Sequence, residues 1–204
     1  MGVLCSQRKP VIEKRAKRIR MYKHLKLSLA ILAVVLIAGT FTSTRLIAEE
    51  SEFSSATIDL GCVVSDIEKS VTFYTKAIGF KEVPGFSVPG DYASKVGLTD
   101  GKHLDIKVLK LGEGAGATSL KLMQVKGARS KKTDNSFIHS QLGFSYLTIH
   151  VKDTTKALER LDKAGVKPIA RGSQELPPSL GSGVFLTIVR DPDGNFVELV
   201  GPKS

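Results

Sequence analysis

From Thr57 onward the chain alternates between short runs of period two and longer runs of helical period, and the same order of runs occurs twice. The first unit opens with a strand over 58–64. Asp66 then stands as a helix N-cap ahead of Ile67, Val71, Phe73, Tyr74 and Ile78, which share one helical face, and Gly79 stops the helix. Further strands are predicted at 80–83, 103–111 and 119–125, with the glycine-rich run 112–116 as a turn. The second unit opens with 146–151. Asp153 caps a helix carrying Ala157, Leu158, Leu161 and Ala164, Gly165 ends it, and strands follow at 166–170, 184–189 and 196–200.

The two openings, Asp59-Leu-Gly-Cys-Val-Val-Ser-Asp66 and Tyr146-Leu-Thr-Ile-His-Val-Lys-Asp153, superpose without a gap. The repeat of about 87 residues is too long for a solenoid and suits a duplicated βαβββ module, an α+β fold. Residues 127–141, polar and carrying Arg129, Lys131 and Lys132, read as the connector. Near the end, Asp191-Pro-Asp-Gly-Asn195 joins two β-rich runs: Pro192 presets φ and Gly194 accepts a positive φ, so this is a hairpin. Glu198 lies inside its second strand, on the same face as Phe196 and Val200. A carboxylate among apolar neighbours needs a partner or a cleft.

Before the repeat, residues 27–44 hold no charge and follow the cluster Arg15, Lys17, Arg18, Arg20, Lys23 and Lys26. This is a membrane-targeting pattern. With a start at Met21 it reads as a secretory signal cleaved after Ala48; retained whole, roughly 18 apolar residues just span a bilayer core with the basic flank cytoplasmic. Both readings export the C-terminal domain, to a periplasmic or other extracytoplasmic space. The expected organisation is a basic segment 1–26, a signal core or anchoring helix 27–48, and a domain over 55–204 with modules at 57–126 and 143–203. The start Met1-Gly2-Val-Leu-Cys5-Ser6 also fits a loose acylation pattern. Cys5 and Cys62 fall on opposite sides of the apolar segment and cannot pair within the chain; Cys62 reads as a small buried hydrophobe.

With 42% hydrophobic and 25% charged residues, the chain can bury a full core. The net charge of +10 is unevenly placed: residues 1–50 hold 10 Lys/Arg against 3 acids, and 51–204 hold 20 against 17. The basic character belongs to the N-terminus. With no Trp and no basic stripe interleaved with aromatics, the globular part is not read as a nucleic-acid binder.

Val64-Ser-Asp66 leading to Phe73-Tyr-Thr-Lys-Ala-Ile-Gly-Phe80, then Val151-Lys-Asp153, then Asp191-Pro-Asp-Gly-Asn195 leading to Glu198-Leu199, resemble the vicinal oxygen chelate superfamily from about Thr57 to Lys203. This is the group of glyoxalases, bleomycin-resistance proteins and extradiol dioxygenases. The resemblance implies two tandem modules whose sheets curl into a cup around a cleft, with the helices outside. In metal-binding members four inner-face residues hold a divalent ion; the matching positions are Asp59, Lys121, Tyr146 and Glu198. Glu198 matches outright and Asp59 offers an oxygen, so these two are the candidate metal ligands. Tyr146 is a poor ligand and a protonated Lys121 is none. The cofactor is accordingly either none or a divalent metal ion.

The alternation of Asp59, Lys121, Tyr146 and Glu198 with apolar residues independently puts them on polar faces. Lys121 is expected to stand in for the ion, pairing with both Asp59 and Glu198, while Tyr146 contacts a ligand. His150, on the face of Tyr146 and Thr148, is a general base, an alternative ligand or simply hydrogen-bonded structure. The glycines of 112–116 open no helix and so form no phosphate cradle. A calcium loop at Asp191 fails because its glycine falls early and its twelfth position is Pro202. Three functions remain: a small-molecule-binding domain with a degenerate metal site, a metal-dependent lyase or dioxygenase using Glu198 as ligand or proton shuttle, and a membrane-tethered interaction domain. The expected partners are a small organic ligand and, if residues 27–44 are not cleaved, the membrane through them; no nucleic acid is expected. The arrangement is open to a homodimer with shared clefts.

Overall fold

The computed structural model describes residues 53–204. The apolar stretch 27–44, Met21, the cleavage point after Ala48 and Cys5 lie outside the described residues. Within them, strand β1 (Leu60–Val63) leads to α1 (Ile67–Thr72), which runs on as a π-helical segment (Phe73–Ile78). Then come β2 (Lys81–Val88), α2 (Gly90–Lys95), β3 (Leu104–Leu111) and β4 (Thr118–Met123). The second module contains β5 (Tyr146–His150), α3 (Thr154–Lys163), β6 (Gln174–Glu175), β7 (Val184–Arg190) and β8 (Phe196–Pro202). Each module forms a four-stranded sheet, in the orders β1-β4-β3-β2 and β5-β8-β7-β6. The first strand of each lies parallel to the last and the remaining pairs are antiparallel, so the fold is α+β with two βαβββ-like modules. Among the described residues no helix is long and apolar enough to cross a membrane.

Local chemistry explains both helices. The side chain of Asp66 accepts from Lys69 N at 3.1 Å, and that of Asp153 from Thr155 N at 2.8 Å. Each satisfies backbone donors that a helix start leaves unpaired. Gly79 ends the first helix at φ +102 and Gly165 follows the second at φ +70, both left-handed. Residues from both modules meet in one core: Tyr74, Ala77, Leu120, Leu122, Leu161, Val197 and Leu199. A leucine buried there is worth about 1.5–3 kcal/mol over exposure, so the helices are held mainly by their apolar faces.

Three segments depart from the sequence expectation. Residues 166–170 form no strand: Pro168 has no N–H to give, and only Ile169 N reaches across, to Ile188 O at 3.0 Å. The edge is supplied instead by β6. Conversely β2 runs on past residue 83, where the predicted strand ends, through Pro84-Gly85. It does so by a bulge between Val83 and Phe86, and at Gly85 a Cβ would collide with Ile106 O, so only glycine lets the strands close there. The short α2 was not expected, since its few residues lack an apolar period.

Candidate functional site

The strand pattern sorts the site residues by face. In β4, Leu120 and Leu122 are 2% and 0% exposed in the core, so Ser119, Lys121 and Met123 point the other way. Lys121 lies opposite Val108 and Met123 opposite Ile106, while β2 places Val83 and Phe86 opposite those two. Leu104, Ile106 and Val108 are buried here, with Val83, Val88 and Met123 against them, forming an aliphatic wall.

At the edge of that wall Lys121 Nζ lies 2.8 Å from Asp59 Oδ2, with the two side chains 32% and 44% exposed. The ammonium also stands 5.9 Å from the centroid of the Phe86 ring. The bond from Lys121 holds the Asp59 carboxyl below its ordinary pKa, against a smaller opposing effect of desolvation. Asp59 and Lys121 are thus brought together, as expected of a lysine standing in for the ion. Phe86 lies beyond the predicted end of the strand at 83 and was not among the candidate site residues.

In the second module Val197 and Leu199 face the core, each fully buried, and Glu198 faces outward between Thr148 of β5 and Ile188 of β7. Thr148 Oγ1 donates to Glu198 Oε2 at 2.7 Å. Tyr146 and His150 flank Thr148 on that face; both are exposed, and neither side chain makes a hydrogen bond among the described residues. The expectation that Lys121 bridges both carboxylates is corrected. Lys121 pairs with Asp59 within its own sheet, and Glu198 forms no ion pair among the described residues, being served by the hydroxyl across the parallel β5–β8 register. Of the other histidines, His103 Nε2 lies 3.0 Å from Asp105 Oδ1 and His139 stacks on Phe137.

These donors do not fit the four-ligand site that the resemblance implies. One position is an ammonium already bound to the neighbouring carboxylate, and another is a phenol. Among the described residues no three His, Cys, Asp or Glu side chains gather as a metal site would require. The arrangement instead offers a fixed positive charge beside an aliphatic wall, and on the second sheet a carboxylate, a hydroxyl, a phenol and an imidazole. Such a set can orient a small polar organic molecule by hydrogen bonds.

Comparison with known proteins agrees with the architecture. A lactoylglutathione lyase of Pseudomonas putida is 28% identical over 157 residues, covering 68% of this chain and 80% of that protein. A lactoylglutathione lyase of Arabidopsis thaliana is 24% identical over 137 residues, covering 67% of this chain, which spans only 41% of that longer protein. Among solved structures, a glyoxalase family protein from Bacillus cereus superposes with a TM-score of 0.61 at 16% identity, over 76% of this chain and 99% of the other. Glyoxalase I from Zea mays gives 0.54 at 20% identity, over 72% and 45%. At such identities the superpositions speak for the fold alone. Residues 59–199, more than half of the chain, match the profile of the Glyoxalase/Bleomycin resistance protein/Dioxygenase superfamily, and the chain belongs to that superfamily.

Proposed function

We propose that this protein binds a small polar organic ligand on the inner faces of its two sheets without a metal ion. The ion pair of Lys121 with Asp59 carries this reading: at 2.8 Å the ammonium occupies the position of a metal donor and neutralises the carboxylate that would otherwise attract a cation. The aliphatic wall of Ile106, Val108 and Met123 would take the apolar part of the ligand. Glu198, Thr148, Tyr146 and His150 would take its polar groups. The test is thermal denaturation of chelator-treated full-length protein against a panel of small carbonyl and carboxylic compounds. A ligand that stabilises the metal-free protein, and loses that effect in Lys121→Ala and Glu198→Gln, supports the reading; stabilisation seen only after a divalent ion is added refutes it.

A second reading has its own support in the lactoylglutathione lyases at 24–28% identity. Under it the domain is a metal-dependent lyase in which Glu198 and Asp59 hold the ion. Lactoylglutathione lyase activity of the metal-supplemented protein, lost in Glu198→Gln, distinguishes it from the first.

We also propose that the domain acts outside the cytoplasm, on the strength of the uncharged stretch 27–44 behind its basic flank. A reporter active only after export, fused behind Ser204, would show it. The exposed Leu142 and Phe144, together with the separate residue pairs on the two sheets, favour a homodimer in which a second copy covers these apolar groups. Light scattering of the purified protein decides that point.

A further inference from the structure

On the helical side of the sheets, opposite the faces that carry Lys121 and Glu198, the π-helical segment and α3 border an open groove of about 800 Å³. Its apolar lining is Phe73 and Ala77, both buried, with Val166 half-buried and the exposed Ala164 at the end of α3. Its rim is cationic: Lys69, Lys76, Arg160 and Lys163 stand against a single carboxylate, Glu68. Lys69 is engaged by Asp66, but Lys76 and Lys163 form no ion pair among the described residues and are exposed. Arg160 is anchored through Nε to Ala77 O at 2.9 Å. Its two terminal nitrogens make no hydrogen bond among the described residues, so a guanidinium of fixed position presents free donors at the groove. A fixed fork of this kind suits a carboxylate or phosphate, and the apolar lining suits a hydrocarbon body.

We infer that this groove binds a small soluble amphiphilic anion, its head held by Arg160, Lys76 and Lys163 and its chain laid over Phe73, Ala77, Ala164 and Val166. The volume lies within the range of small-molecule sites, and the excess of cations over the one rim carboxylate selects the sign of the ligand. The site is independent of the inner-face site.

The probe is decanoate, below its micelle concentration, titrated calorimetrically into the full-length protein, with decanol and decyltrimethylammonium as uncharged and cationic controls. Saturable binding of decanoate is expected, with at least tenfold weaker binding of both controls. The double variant Lys76→Glu/Lys163→Glu, which alters only exposed side chains, should weaken decanoate at least tenfold, and Ala164→Phe, which crowds the apolar lining, should do the same. Lys121→Ala should leave it unchanged. Equal binding of decanol, indifference to the charge reversal, or loss of binding in Lys121→Ala instead would each overturn the assignment.

Discussion

The phenol of Tyr74 donates to Asp191 Oδ2 at 3.0 Å, a buried bond that ties the first module's helix to the second module's hairpin across 117 positions of sequence. Asp191 also accepts from Asp193 N, Asn195 N and Asn195 Nδ2, so one carboxylate organises the whole turn. Burial, followed by the negative charge of Asp191, pushes the Tyr74 phenol far above its ordinary pKa and keeps it a donor. Tyr74→Phe removes a hydrogen bond to a buried carboxylate and should cost roughly 2 kcal/mol in urea denaturation without changing the helix content. A cost near zero would mean that the bond does not fasten the modules.

The Asp59 carboxyl should titrate below the ordinary value of 3.8, and the cause to remove is Lys121. A depressed folded-state pKa contributes stability that is complete above the unfolded value of about 3.9 and is lost as pH falls through the folded one. The stability difference between wild type and Lys121→Met is therefore greatest above about pH 4 and shrinks in stronger acid. Carboxyl NMR titration of both proteins checks this; an Asp59 pKa unmoved by Lys121→Met contradicts the pairing.

Cys62 lies half-buried against the core, and desolvation, aided by Asp191 and Asp193, raises its thiol pKa to about 11. At pH 8 such a thiol is about 0.1% ionised, against roughly a quarter for a free cysteine of pKa 8.5. In a Cys5→Ser background, alkylation by iodoacetamide at pH 8 should run at least about a hundredfold slower than that of free cysteine. A rate within tenfold of free cysteine would show a more open or more polar surround for the thiol.

Thr148→Val and Glu198→Gln should change stability by no more than about 0.5 kcal/mol, since both side chains lie outside the core. Both should nevertheless weaken any ligand that stabilises the metal-free protein. If neither affects that ligand, the second sheet's inner face plays no part in binding.

What was legible along the chain was local or strictly periodic. Asp66 and Asp153 announce their helices because a cap is decided within four residues, and Lys121 and Glu198 reveal their faces because a strand alternates by two. Partner choice was legible only in part: the pairing of Lys121 with Asp59 was expected and is found, whereas that with Glu198 is not. Lys121 and Glu198 face the same way in their repeats, yet each carboxylate is met within its own sheet, a matter of the β1–β4 and β5–β8 registers rather than of spacing. The bond between Tyr74 and Asp191 was hidden likewise, because the tyrosine read as one residue of a helical face and the aspartate as a turn residue. The continuation of β2 to Val88 was not legible either, because it depends on a bulge at Pro84-Gly85 that closes only where Gly85 meets the opposing Ile106 O.

Whether Lys121 takes the place of a metal ion is decided by the metal content of the full-length protein purified without chelator and then dialysed against zinc, nickel or iron. Elemental analysis should find far less than one tightly bound divalent ion per chain, while the same preparation still responds to small organic ligands. One full equivalent of retained metal, lost in Glu198→Gln, would contradict that role for Lys121.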